Sequence, residues 1–339
     1  MMFLSEYGMF LLKSITTVIS ITVVIFLFFA IRARAKKSKV EGMLVIKDLS
    51  QHFRSIRLQM TKAIASKLEA KSLLKETKKL IKDKKKQKGK VRRKTFIIKF
   101  KGGVKATAAE SLKEEITAIL SVANKQDEVV LLLESPGGTV SGYGLAASEL
   151  DRIKQRGLKL TALVDKVAAS GGYMMACVAN KIIAAPFSII GSIGVITQIP
   201  NFNQLLEDKG VKFEQITSGK YKRTVTMFGK NTEQDRQKLK TELEEIHYLF
   251  KSLVKSKRPQ IDIDKVATGE YWLATKAKES GLVDELMTSD DYLMALHEKE
   301  VDMYMVEYKR EVTLMNKILS IYGKIKDDLM QKGSSKLFM

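Results

Sequence analysis

One cysteine and three histidines stand in a chain of 339 residues, and both scarcities narrow the chemistry open to it. A lone Cys177 excludes an internal disulfide and a cysteine-based metal cluster. Its neighbours in MMACVA are apolar and helical in pattern, so it reads as a small buried hydrophobe rather than a reactive thiol. His52 lies in a basic arm, His247 in the charged helical run KTELEEIHYLFKSLVK, and His297 toward the C-terminus. None has motif company, and each reads as a surface or helix histidine. Acid–base chemistry in this chain therefore has to come from another side chain, and no metal or organic cofactor is called for.

Acidic residues are also in short supply, 38 against 59 Lys and Arg, for a formal net charge of +21. The imbalance is local. Residues 32–94 hold 23 Lys/Arg against 5 Asp/Glu, a net +18 that leaves only +3 for everything else. That segment lacks the interleaved aromatics that stack on bases, so nucleic acid is not an expected partner. It begins with helical spacing in LQMTKAIASKLEAKSLLKETKKLIKD and ends in KKKQKGKVRRK, too self-repulsive to fold alone. It reads as a solvated helical stalk and linker or, more sharply, as an arm lying on the anionic headgroups of membrane lipid.

Long apolar runs are confined to one place. Ser14 to Ile31, SITTVISITVVIFLFFAI, carries no charge and with the preceding apolar residues is long enough to cross a bilayer. A cleavable signal peptide would carry its charge before the apolar stretch. Here Arg32, Arg34, Lys36, Lys37 and Lys39 follow it, with Lys13 alone on the other side. The segment therefore reads as an uncleaved single-pass anchor, with the C-terminal side cytoplasmic by the positive-inside rule. The expected organisation is a stub at 1–8, an anchor at 9–31, the Lys-rich stalk at 32–93, a main domain at 94–290 and an extension at 291–339. In that extension VDMYMVEY and the stretch after it could add a strand and helix at a subunit contact, or simply pack on the core.

After Lys94 short apolar strands alternate with helices. TFIIKF, VVLLL, LKLTALVD, KIIAA, GSIGVIT and VKFEQIT read as strands, while AAESLKEEITAILSVA, YGLAASELDRIKQRG and GYMMACVAN read as helices. This pattern predicts an α/β fold with a parallel sheet covered on both faces. Sites in such folds gather at the carboxyl ends of strands.

Three small-residue turns follow three of those strands. In LLLESPGGTVSGYG the paired Gly137 and Gly138 suit outward-pointing amides and close backbone approach, and equally an ordinary tight turn. In LVDKVAASGGYMMA, Ser170 opens a helix. There it can act as a helix N-cap or expose its hydroxyl beside helix N-terminal amides that stabilise negative charge. The two glycines after it favour the second, because capping requires none. In ITSGKYKRTVTMFG come Lys220, Lys222 and Arg223. A lysine serves a nucleophilic serine as base if burial disfavours its charged form, but spacing does not choose among these cations.

The motifs ESPGG, DKVAASGGYMMA, PFSIIGSIGVI, TSGKYKR and ATGEYWLATKAKESGLVDEL, in that order, resemble the signal peptide peptidase A family of serine proteases over essentially the whole chain. That resemblance implies a Clp protease/crotonase-like fold preceded by one transmembrane helix, in the bacterial inner membrane. It implies Ser170 as nucleophile and Lys222, last residue of Ser218-Gly219-Lys220-Tyr221-Lys222, as general base. Ser192 falls where relatives place a hydroxyl that orients the lysine, and Gly137, Gly138 and Gly171 fall at the oxyanion hole. A peptide or protein substrate is implied, signal-peptide-like or membrane-associated. A homo-oligomer is implied too, since in some relatives serine and lysine come from neighbouring subunits. Ile190 departs from the family's frequent Thr, and Ala274-Thr275 replaces a common Gly. An acyl-CoA enzyme of crotonase type and an inactive membrane scaffold are the competing readings.

Overall fold

The computed structural model describes residues 2–35, 42–64, 72, 75, 93–219 and 221–309. Most of the Lys-rich run, Lys220 and the tail after 309 lie outside the described residues, so the segment read as stalk is described only in part and the segment read as extension only through 309.

The chain divides into two compact units. Met1–Met43 with Lys309–Met339 forms one, and the helix described in it is α1 (Met2–Ala35). Within α1, Gly8–Phe26 has a mean hydropathy of 2.1 and none of it is buried. By length and composition it is able to cross a membrane.

The second unit is Leu44–Tyr308, wider on both sides than the domain expected at 94–290. In chain order it contains β1 (Met43–Asp48), α2 (Leu49–Ile64), β2 (Lys94–Lys101), α3 (Ala109–Val122), β3 (Glu128–Glu134), α4 (Val140–Gln155), β4 (Lys159–Val164) and β5 (Val167–Ala169). Then come α5 (Gly171–Ala176), β6 (Lys181–Ala184), β7 (Ile189–Gly191), α6 (Asn203–Asp208), α7 (Glu233–Lys257) and α8 (Ile263–Val266). β8 (Tyr271–Leu273), α9 (Ala274–Glu279), β9 (Glu285–Leu286), α10 (Ser289–Glu298) and β10 (Asp302–Lys309) complete it.

Seven strands form the central sheet in the order β1-β10-β2-β3-β4-β6-β9, and every pairing from β10 to β9 is parallel. The expected parallel core is present, and it recruits strands from both flanks: β1 from the segment read as stalk, β10 from the segment read as extension. The two-residue period of the strands divides the core. Phe96, Ile98, Phe100, Val129, Leu131 and Leu133 point to the face covered by α3 and α4. Ile97, Val130 and Leu163 point to the other, against Leu293 and Leu296 of α10, with Leu49 and Phe53 of α2 packed beside them. Burial of each such side chain contributes about 1.5–3 kcal/mol, and two-sided cover explains why these strands read as unbroken apolar runs.

A second, three-stranded sheet, β5-β7-β8, stands beside the first, with β5 and β7 parallel and β8 antiparallel. Two strand expectations are corrected here. The strand read across 191–197 lies at Ile189–Gly191 instead, and 192–202 has no regular structure. Ser192 takes φ 51, which turns the chain out of the extended region. Residues 211–217 form no strand either, and all seven are exposed. A strand with no edge to pair with has no ladder to join.

Candidate active site

The site is built by stitching two turns and one strand end together. Beyond β3, Ser135 bridges to Ala168: its N–H donates to the Val167 carbonyl at 2.8 Å, and its own carbonyl accepts from Ala169 N–H at 3.0 Å. This brings the glycine turn at 135–138 against β5, the strand that leads into Ser170. The Ser170 N–H donates to the Gly191 carbonyl at 2.8 Å, which adds the end of β7 and places Ser192, half-buried, one residue from that bond.

Ser170 has φ 50 and ψ −120, a conformation that costs a non-glycine residue about 1–3 kcal/mol. It occupies the N-cap position of α5, yet its side chain makes no capping hydrogen bond. The capping role weighed against the nucleophile is thus absent. A strained serine between strand and helix holds its hydroxyl out of both elements, and Ser170 is half-buried.

Both glycine pairs are required by what surrounds them. Gly137 sits at φ +94, and a Cβ there would lie 2.7 Å from Ser170 Cβ and 2.8 Å from the Gly171 nitrogen, so its backbone is packed directly on the serine turn. A Cβ on Gly138 would overlap the backbone of Val104. A Cβ on Gly171 would overlap the ring of Tyr143, and one on Gly172 the Ser135 carbonyl. The three amides proposed for an oxyanion hole are not equivalent. The Gly137 N–H donates to Ser135 Oγ at 3.1 Å, whereas the Gly138 and Gly171 amides have no acceptor among the described residues.

Beneath these turns lies a polar pair that pattern reading passed over. Ser135 and Tyr143 are both fully buried, their hydroxyls 2.5 Å apart, and Tyr143 Oη donates to the Gly103 carbonyl at 2.9 Å. Burial pushes the Tyr143 phenol above its ordinary value, with the Ser135 hydrogen bond opposing, so it stays a neutral donor. Cys177, also completely buried, has its thiol pushed up to about 12 by desolvation, against the opposing fields of Arg258, Lys257 and Lys154, and Sγ donates to the Met174 carbonyl. It is the inert cysteine that its neighbours suggest. His247 touches the region too: on α7, its Nε2 is 3.2 Å from the Ile193 carbonyl.

Lys222 lies outside both glycine turns. It is exposed, in a turn closed by its N–H to the Gly219 carbonyl at 3.2 Å, and no hydrogen bond or ion pair among the described residues joins it to Ser170 or Ser192. Its segment is held mainly by itself. Asn201 Nδ2 donates to the Thr226 and Gly229 carbonyls, both at 3.0 Å, and Asn203 Nδ2 to the Phe228 carbonyl. The rings of Phe202 and Phe213 pack on Phe228.

Models of two family segments cover this chain: Peptidase family S49 N-terminal over residues 2–150 and Peptidase family S49 over residues 152–303. The chain belongs to peptidase family S49. Among relatives in that family, Probable protease SohB of Haemophilus influenzae (strain ATCC 51907 / DSM 11121 / KW20 / Rd) is 46% identical, over 93% of this chain and 91% of the relative. Probable protease SohB of Buchnera aphidicola subsp. Schlechtendalia chinensis is 44% identical over 86% and 99%. Protease 4 of Salmonella typhi is 29% identical over 60% of this chain and 33% of its own length. These matches confirm the resemblance carried by the motifs, and family S49 membership supports a peptidase. The two S49 segments meet within α4, so neither builds the site alone: Gly137 and Gly138 belong to the first segment and Ser170 to the second.

Proposed function

We propose that the chain is a membrane-anchored serine endopeptidase with Ser170 as nucleophile and Lys222 as general base, cleaving membrane-associated or signal-peptide-like substrates. The observation that carries this reading is the strained, uncapped Ser170 with Gly137 packed against it and the Gly138 and Gly171 amides beside it without an acceptor among the described residues. In the proposed reaction neutral Lys222 takes the Ser170 hydroxyl proton as Oγ attacks the substrate carbonyl carbon. The oxyanion is held by Gly138 and Gly171, the peptide C–N bond breaks, and the leaving amine receives the proton. Water, deprotonated by the Lys222 amine, then attacks the acyl ester carbonyl, the ester C–O bond breaks, and Lys222 returns the proton to Ser170 Oγ. Ser192 would orient the lysine.

Several features support the rest of the reading. The exposed apolar span Gly8–Phe26 suits a lipid environment, and the basic residues after it favour a cytoplasmic peptidase domain with the Lys-rich arm on anionic lipid. A parallel sheet with a small second sheet beside it fits a Clp protease/crotonase-like fold. The exposure of Lys222 together with exposed apolar neighbours such as Leu205, Val211 and Ile216 fits a homo-oligomer in which a neighbouring subunit covers this segment and receives its lysine.

A fluorophosphonate probe tests the proposal. It is expected to label the full-length protein at Ser170 and to leave Ser170→Ala unlabelled and without peptidase activity. Peptide cleavage by purified Ser170→Ala at the wild-type rate would sink it, and no labelling at all would favour a scaffold or an acyl-CoA enzyme.

A further inference from the structure

The buried hydroxyl pair beneath the serine turn has one consistent set of hydrogen positions. Tyr143 Oη carries a single proton, and it is given to the Gly103 carbonyl. The 2.5 Å contact with Ser135 Oγ must then be donated by Ser135. Ser135 Oγ, having given its proton, accepts from the Gly137 N–H. The result is one directed chain: Gly137 N–H to Ser135 Oγ–H to Tyr143 Oη–H to the Gly103 carbonyl. Hydrogen bonds aligned in this way polarise one another, and both hydroxyls are fully buried, so no water competes for them.

The same tyrosine reaches the other turn. Its ring fills the space a side chain on Gly171 would need. One residue therefore reaches both turns that would hold the oxyanion, the glycine turn through the Ser135 hydroxyl and the serine turn through its ring. Gly102 leaves room for the arrangement, since a Cβ there would lie 3.0 Å from Ser135 Oγ and closer still to Tyr143 Oη.

We infer that Tyr143, acting through Ser135, is a positioning residue that sets the spacing of the Gly138 and Gly171 amides, with the Gly137 amide serving as an anchor and not as an oxyanion donor. This rests on the serine-peptidase reading above. Donors that must be in place before charge develops need a rigid mount, and the chain ties the mount to Gly103, at the end of β2. Losing either hydroxyl frees the glycine turn without touching the nucleophile, so the defect belongs in the chemical step and leaves substrate binding nearly intact.

The test uses full-length protein in detergent with a quenched fluorescent peptide of small and apolar residues, comparing wild type, Ser170→Ala, Tyr143→Phe, Ser135→Ala and the Tyr143→Phe/Ser135→Ala pair. Tyr143→Phe and Ser135→Ala are each expected to lower kcat by about tenfold or more, with KM within about threefold, and to slow fluorophosphonate labelling of Ser170 in parallel. The double variant is expected to be no worse than the poorer single one, because both break the same chain. A thermal melt accompanies each measurement, and if Tyr143→Phe does not fold, Ser135→Ala decides by the same criteria. A folded variant with kcat within about twofold of wild type, or one that loses only KM, overturns the inference. Activity surviving in Ser170→Ala overturns the peptidase reading instead.

Discussion

The two halves of the proposed dyad lie in opposite surroundings. Around Ser170 the backbone is strained, both flanking turns are bonded to neighbouring strands, and the supporting hydroxyls of Ser135 and Tyr143 are fully buried. Around Lys222 the residues are mostly exposed, regular structure is sparse, and the bonds are chiefly side chain to backbone within residues 201–231. The proposed nucleophile half is thus tightly held within one protomer, whereas the proposed base half is exposed. In the proposed reaction, preorganisation lies on the side of the site where charge would develop.

The contrast is broken most directly by mixing. Ser170→Ala and Lys222→Ala proteins, each inactive alone, are expected to recover about a quarter of wild-type activity when their subunits are randomised, if the lysine enters a neighbour's site. No recovery in a peptidase assay would return both groups to one protomer. A smaller effect sharpens the serine side. Gly171→Ala drives a methyl into the Tyr143 ring, with an expected cost of about 1–3 kcal/mol in stability and a fall of about a hundredfold in kcat, read by melting and steady-state kinetics.

The smallest effect lies away from the site. Glu115 of α3 is buried, and desolvation raises its carboxyl to about 7, opposed by the Tyr308 amide and helped by Glu307. Its folded value exceeds its unfolded one, so the native state holds the extra proton. Stability is therefore greatest below about pH 4.5 for this group and declines as pH rises through 7, by roughly 3 kcal/mol in total. Glu115→Gln is expected to flatten that part of the stability profile in urea titrations at several pH values. An unchanged slope would mean that Glu115 titrates normally.

Much of the architecture was readable because it is local. Strands such as TFIIKF and VVLLL, and the helix AAESLKEEITAILSVA, lie within a residue or two of the periodicity that predicts them. The failures share one cause. Residues 211–217 alternate like a strand, but no described edge receives them. Whether β1 and β10 join the sheet is decided by partners far along the chain. Ser170 was legible as a candidate, though only its observed conformation removes the capping role, and selecting Lys222 from its cationic neighbours needed the family motif. Ser135 and Tyr143 carry no local signal, since a tyrosine in YGLAASEL resembles any apolar helix residue. What distinguishes it is a bond to a carbonyl 40 residues earlier.

One feature of the sheet reaches beyond enzymology. The chain enters the larger unit on β1 and its last described strand is β10, its neighbour at one edge. Entry and exit side by side make that unit a module in the engineering sense. A short linker could join residues 44 and 308 and open new ends at a surface loop, which would separate the body from α1 without cutting through the sheet.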